Sequence, residues 1–370
     1  MKEKPAKEKS SRKRPRLRRV DHKLGVPAGS LVHVGEVKTD RPRISLIEFD
    51  AAGCDERSFA SVAEAREFKP TRQTVWLNVH GLHEPEVMAE IGRRFHLHPL
   101  TMEDILNTTQ RAKVDEFASY LFIVLRLIDV DRSDGQLNSE QLSLVLGRDF
   151  VLSFQEQSRG IFEPIRERMR ARQSPTRERG ADHLAYALLD VVVDRYFLAV
   201  DHLAEEAEAL EEEAMSSPSP ALLARINRCK RDTLTVRRAV WPLRELLGTL
   251  QRSERSSFSP ETRLYLRDVQ DHAIHVLESL DAVRDQLGDL LDIYLSSVSN
   301  RLNVEVRVLT VLSMLFMPAT LIAGIWGMNF VDMPLSGSRQ GFWWVIAMMG
   351  LCAASMGLLF WRRRLLTREE

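Results

Sequence analysis

The apolar positions of this chain change their spacing as it proceeds, and the changes divide it into three stretches. In the first, short runs rich in Val, Ile, Leu and Phe at residues 43–50, 73–79, 119–130, 140–147 and 149–155 predict strands. Residues 58–68, 84–95 and 101–107, lying between them, predict short helices. From residue 161 onward no strand is evident. A helix to about 173, another over 180–215, a Ser216-Ser217-Pro218-Ser219-Pro220 turn and a helix to 252 predict a long hairpin.

The third stretch is longer still. Ser259-Pro260-Glu261 makes a competent helix start: a cap, then Pro at the first helical position, then an acid. Beyond it Ala273, Val276, Leu280, Val283, Leu287, Leu290 and Tyr294 repeat at threes and fours. No breaker intervenes before residues 308–326, a run of 19 without a formal charge. At 1.5 Å per residue that run reaches roughly 28 Å, close to a bilayer core. Residues 342–361 give 20 more uncharged positions. A single helix over 260–326 would be a stalk running into a membrane.

Charge orients these spans. Arg301 and Arg307 precede the first, and Arg362, Arg363 and Arg364 follow the second, whereas the loop between holds only Asp332 and Arg339. The positive-inside bias therefore places both termini and the large soluble part in the cytoplasm. Trp343, Trp344 and Trp361 stand where interfacial aromatics belong.

The net charge of zero conceals an asymmetry: residues 1–19 carry ten Lys/Arg against two Glu. With Pro5, Pro15 and no apolar stretch they read as a disordered, solvated basic tail, anionic lipid being the alternative neighbour; no nucleic-acid partner is expected. Cys54, Cys229 and Cys352 are isolated and frame neither a disulfide nor a zinc knuckle. The His96/His98 and His272/His275 pairs read as surface histidines. No phosphate loop, dinucleotide glycine motif or nucleophile elbow points to an enzyme. In the hairpin, Glu205, Glu206, Glu208, Glu211, Glu212 and Glu213 crowd one helix end opposite Arg225, Arg228, Lys230, Arg231, Arg237 and Arg238, so mutual pairing is the default reading. An acidic cluster that concentrates cations is the alternative.

Two membrane helices cannot enclose a pore from one subunit, so a conducting form needs a symmetric ring. Stepping by threes and fours from Asp292 gives Ser296, Ser299, Asn303, Val306, Thr310, Ser313, Met317, Thr320 and Gly324, small or polar at most positions. Such a face suits a pore lining, and equally a small-residue helix–helix packing surface. Its continuation into Asn303 and Asp292 favours the pore.

At this point the residues match a family. His98-Pro99-Leu100 with Glu103-Asp104-Ile105-Leu106, Gln110-Arg111-Ala112-Lys113-Val114 and Ala239-Val240-Trp241-Pro242-Leu243-Arg244 are shared signatures. Further along come Arg267-Asp268-Val269-Gln270-Asp271-His272, Tyr294-Leu295-Ser296-Ser297-Val298-Ser299-Asn300, Phe316-Met317-Pro318-Ala319-Thr320 and Gly327-Met328-Asn329. From about residue 40 to its end the chain resembles CorA-type magnesium transporters. The resemblance implies a homopentameric funnel with an inner ring of first spans, and a filter of Gly327, Met328 and Asn329 facing the periplasm. Neutral amide and carbonyl oxygens there would hold a still-hydrated Mg²⁺, which demands octahedral oxygen geometry and sheds water reluctantly. It also implies a pore lined by Asp292, Asn303, Val306, Leu309, Thr310, Ser313, Met317, Thr320 and Gly324, with Val306, Leu309 and Met317 as constrictions. Regulatory Mg²⁺ between neighbouring subunits would be held by Asp104 and Asp268, and at a weaker position by Glu103 and Asp190. From the residues alone, Thr101-x-x-Asp104 reads as a capping box and Asp268 as a partner of Arg267 or of another Lys or Arg nearby.

The expected architecture is thus an α+β cytoplasmic domain with a mixed sheet, a helical hairpin, a stalk helix and two C-terminal transmembrane helices. Its segments are 1–39 (tail), 40–160 (α+β), 161–257 (hairpin), 258–307 (stalk), 308–329 (first span), 330–341 (periplasmic loop), 342–361 (second span) and 362–370 (basic tail). The expected function is uptake of Mg²⁺, with Co²⁺ or Ni²⁺ tolerated, gated by cytoplasmic Mg²⁺. Two departures from the family pattern, Leu335 in place of a loop glutamate and Trp326 in place of a tyrosine, leave a zinc transporter on the same scaffold as an alternative. A non-conducting, membrane-anchored scaffold is the alternative from another class.

Overall fold

The structure is a computed structural model; it describes residues 25, 27–59, 62–131, 133, 135–252, 257–328 and 340–362. The basic tail at 1–19, Asn329, most of the loop with Asp332, Leu335 and Arg339, and Arg363 and Arg364 lie outside the described residues. The chain divides into two compact units, residues 1–207 with 227–287, and residues 208–226 with 288–370.

The first unit holds a seven-stranded sheet. Its strands are β1 (Arg43–Asp50), β2 (Gly53–Phe59), β3 (Thr74–His80), β4 (Lys113–Glu116), β5 (Tyr120–Val130), β6 (Leu137–Gly147) and β7 (Phe150–Gln155), in the order β2-β1-β3-β7-β6-β5-β4. The β3–β7 pair is parallel and the other pairs are antiparallel, so the sheet is mixed. Helices α1 (Val62–Glu67), α2 (Pro85–Arg94) and α3 (Pro99–Leu106) fall within the strand succession. Met88, Ile91, Met102, Ile105 and Leu106 of α2 and α3 join Leu46, Leu77, Phe122, Val124, Val145 and Phe154 of the sheet in one buried cluster. Alternate strand residues face the other way. There Trp76 lies 6.0 Å from Phe162, which precedes α4 (Glu163–Arg170), and its indole N–H donates to Ser153 Oγ at 2.9 Å. Because both faces are covered, β5 and β6 are buried along nearly their whole length.

Two strands escaped the apolar pattern, and both lie at the sheet's edges. β2 reads GCDERSF and is exposed over Glu56, Arg57 and Ser58; β4 is the four residues KVDE. Charged edges blunt further pairing, so edge strands are polar where central ones are apolar. The helix expected from residue 58 accordingly starts only at Val62, because Ser58 and Phe59 close β2 against Ser45 and Ile44. Likewise the helix expected to run to about 173 ends at Arg170, and a short α5 (Pro175–Arg179) follows.

The long helices follow the heptad-like pattern. α6 (Ala181–Ser216) bonds to the sheet through Tyr196, whose hydroxyl donates to the Arg126 carbonyl, and through an Arg195–Asp129 pair at 3.3 Å. α7 (Pro220–Arg252) starts at the Ser219 hydroxyl, which accepts from Leu222 N–H at 3.2 Å. α8 spans Pro260–Trp326, 67 residues in one helix. Ser259 Oγ accepts from Thr262 N–H at 3.2 Å, fulfilling the predicted cap. Ala273, Val276, Leu280, Leu287 and Leu290 are fully buried, and Val283 and Tyr294 nearly so. Of the opposed hairpin charges, Glu213 and Arg225 form an ion pair at 2.5 Å. α9 (Gly341–Arg362) completes the second unit.

Candidate functional site

In the second unit the environment inverts. α8 and residues Gly341–Phe360 of α9 are each long and apolar enough to cross a membrane, and none of the residues in the apolar window of α8 is buried inside the chain. Exposure is nevertheless uneven around the helix. Val311, Leu315, Pro318, Ala319, Ile322 and Trp326 form a partly covered stripe, and α9 carries a matching one through Val345, Met349, Cys352, Met356 and Phe360. Every described residue assigned to the lining is exposed: Asp292, Asn303, Val306, Leu309, Thr310, Ser313, Met317, Thr320 and Gly324. Within the span, these residues lie roughly opposite the partly covered stripe on a helix of 3.6 residues per turn. The small and polar face is therefore among the surfaces that a single chain leaves without a neighbour, together with Leu312, Phe316, Leu321 and Ile325.

The hydroxyls on that face have a defined orientation. Thr310 Oγ1 donates to the Val306 carbonyl at 2.7 Å, and Thr320 Oγ1 to that of Phe316 at 2.9 Å. With their protons engaged on the helix, the oxygens keep lone pairs for an external donor or cation. Pro318 brings no N–H to the helix ladder, which frees the Met314 carbonyl from its usual partner. The helix then closes with Gly327 N–H on the Ala323 carbonyl at 2.9 Å and Met328 N–H on that of Ile325 at 3.2 Å. A Cβ on Gly327 would meet the Ala323 oxygen at 3.1 Å, so that turn favours glycine.

The acidic residues lie in the first unit, and their surroundings differ. Asp104, near the end of α3, is already engaged: Oδ2 is 2.7 Å from Lys113 Nζ, and Oδ1 accepts from Gln110 Nε2. Lys113 also reaches Asp115 at 2.7 Å. The capping-box reading of Thr101 and Asp104 fails, because α3 begins two residues earlier. His98 caps it, its Nδ1 accepting from Leu100 N–H at 3.2 Å, and Thr101 is buried with its hydroxyl 2.9 Å from that of Tyr120. Glu103 accepts from the N–H of Gly29 at 2.7 Å. Gly29 has φ +85°, and a Cβ there would meet Pro99 Cβ at 2.8 Å, so only glycine lays its amide on that carboxylate.

Asp268 is open by contrast, 66% exposed, with His272 Nε2 at 3.8 Å as its recorded partner rather than Arg267. Asp190 on α6 feels it: burial first, then the carboxylates of Asp194 and Asp268, push the Asp190 pKa up, against the opposing charges of Arg168 and His272. Asp190 and Asp268 thus share one electrostatic neighbourhood, while Asp104 is neutralised by its own loop. Among the described residues no group of three or more His, Cys, Asp or Glu is arranged to hold a metal within one chain. Asp194 was legible as the α6 residue one turn beyond Asp190. Nothing in the sequence marks Gln110 and Lys113 as partners of Asp104, since they approach it across a turn.

Residues 71–364 match the family described as CorA-like Mg²⁺ transporter protein. The cobalt/magnesium transport protein CorA of Thermotoga maritima is 38% identical over 347 residues, 94% of this chain and 99% of that one. The complete structure of the CorA magnesium transporter from Methanocaldococcus jannaschii superposes with a TM-score of 0.72 over 86% of this chain and 97% of its own, at 18% identity. The ZntB cytoplasmic domain from Vibrio parahaemolyticus gives 0.56 over 70% of this chain and 98% of its own, at 12% identity. These last two likenesses establish the fold: a mixed-sheet domain with long helices.

Proposed function

The chain belongs to the CorA-like Mg²⁺ transporter family, and from that premise we propose that it forms a homopentameric channel for hydrated Mg²⁺, with Co²⁺ as a second cargo. It is a membrane protein of a transport family rather than of an enzyme class. The name of the Thermotoga relative, a cobalt/magnesium transport protein, supports the choice of ions.

The observation that carries the proposal is the exposed small and polar face of α8, opposite its partly covered stripe. Five such faces around an axis would give a lining of hydroxyl and amide oxygens interrupted by Val306, Leu309 and Met317. Neutral oxygens hydrogen-bond the water shell of Mg²⁺ without stripping it and bind weakly enough to release the ion. Gly327, Met328 and Asn329 would form the outer filter. Both termini would be cytoplasmic and the membrane a bacterial inner one, so the potential would drive uptake.

Regulation would act between subunits. Asp268 is exposed and lacks a strong partner, so it suits a shared divalent ion with a carboxylate from the next copy. Asp104 would join only by exchanging Lys113, and Glu103 and Asp190 would supply the weaker position. A bound ion would bridge carboxylates that otherwise repel, and its loss would loosen the ring and open the pore.

Liposomes carrying the purified full chain test the reading. Mg²⁺ and Co²⁺ should enter under an inside-negative potential, and Thr320→Leu, which fills the lining, should suppress entry while Thr320→Ser retains it. Zinc entry without Mg²⁺ entry would instead favour a zinc transporter, and no divalent flux a scaffold.

A further inference from the structure

The Gln110-Arg111-Ala112-Lys113-Val114 motif supplies partners of Asp104 but leaves Arg111 unused, the motif around Trp241-Pro242 takes no part in the ion path or the acidic sites, and the fold brings the two together. Gln110-Arg111-Ala112 and the segment around Trp241-Pro242 line one cavity of about 750 Å³ in the first unit, with Arg126, Arg237 and Arg238 completing its wall. Among the described residues no acidic one lines it.

The arginines there are not equally committed. Arg126 is spent on the protein itself, donating to the Thr108 carbonyl at 2.7 Å and to Ser139 Oγ at 3.0 Å. Arg237 is committed as well: its Nε lies 3.4 Å from Asp281 Oδ1 on α8, an ion pair without hydrogen-bond geometry. Arg111 and Arg238 are exposed and make no ion pair or hydrogen bond among the described residues. Trp241 is 42% exposed, with the Arg244 guanidinium 5.9 Å from its ring centre. Guanidinium forks match phosphate oxygens two at a time, and an exposed indole offers a stacking surface for a planar base. A volume of this size admits a nucleotide.

We infer that this cavity is a binding site for a nucleoside polyphosphate, its phosphates on Arg111 and Arg238 and its base against Trp241. The metal-free triphosphate is the preferred form, because chelated Mg²⁺ cancels part of the charge that the arginines read. Such a ligand touches two elements that bear on the acidic sites. Gln110 also donates to Asp104, and Arg237 also faces Asp281 on α8. The site is independent of the conduction proposal and stands or falls on binding alone.

Equilibrium dialysis of the full chain in detergent against labelled ATP and against inorganic tripolyphosphate, each with chelator, tests it. Both should bind saturably, and excess Mg²⁺ should weaken both. Arg111→Glu with Arg238→Glu should weaken both by at least about tenfold, equivalent to about 1.4 kcal/mol. Trp241→Ala should weaken ATP by about tenfold and leave tripolyphosphate within about twofold. Absence of saturable binding, binding unchanged in the double variant, or a double variant that loses its oligomeric state on size-exclusion chromatography would each overturn the assignment. The last result would make the cavity a contact between copies.

Discussion

The seven-stranded sheet and the membrane stretch of α8 are built of similar residues and treat them in opposite ways. Phe122, Ile123, Val124 and Leu125 in β5 are wholly enclosed, while Val308, Leu309, Leu312 and Phe316 in α8 are each more than half exposed. The sheet closes its own core with helices on both faces and so is complete in one chain. The helix is not: its apolar surface needs lipid, and its small polar face needs either water or another copy. Burial within one chain thus marks what folds by itself, and exposure of the same residue types marks where surroundings must be supplied.

Substitutions should break this contrast along its own lines. The largest effect is expected at Asn329, the amide of the proposed filter. Asn329→Ala should abolish Mg²⁺ flux in liposomes while the oligomer remains intact on size-exclusion chromatography; normal flux would remove it from the filter. In the sheet the loss should be of stability, not conduction. Phe122→Ala empties a fully enclosed site and should cost about 3–5 kcal/mol on chemical unfolding of the first unit's signal.

Glu140 sharpens the same distinction, because it is a carboxyl that the self-sufficient domain hides. Burial, aided by Glu156 and opposed by Lys38 and Arg159, pushes its pKa up to about 7. The folded chain therefore keeps the proton above the ordinary carboxyl value of 4.5 while the unfolded chain releases it. Its contribution is full at acid pH and falls away as pH rises through that window, by roughly 3 kcal/mol in all. Glu140→Gln should flatten this part of the stability–pH profile and raise stability at pH 8; an unchanged profile would show that the carboxyl is ionised in the fold. The smallest effect is expected at Asp268, which is exposed and weakly paired. Asp268→Lys should leave unfolding unchanged and blunt the response of flux to internal Mg²⁺, and an unaltered response would assign Asp268 to the His272 contact alone.

Apolar runs in the sequence determined the five inner strands, Ser259-Pro260-Glu261 the capped start, and the three-and-four spacing followed by an uncharged run the helix to Trp326, because each of those signals is local. The small polar face of α8 was legible for the same reason, whereas the filter role of Gly327-Met328-Asn329 is what the family resemblance implies. Tertiary structure alone decided the rest. β2 and β4 are strands only because a neighbour pairs with them, and a polar edge leaves no apolar signature. His98, not Thr101, caps α3 because Thr101 is turned inward to Tyr120. Asp104 is a neutralised acid and Asp268 an open one because Lys113 folds back onto the first and no cation reaches the second so closely. Local period is written in adjacent residues, whereas the ion pairing of a carboxylate depends on side chains that only the folded chain brings within reach.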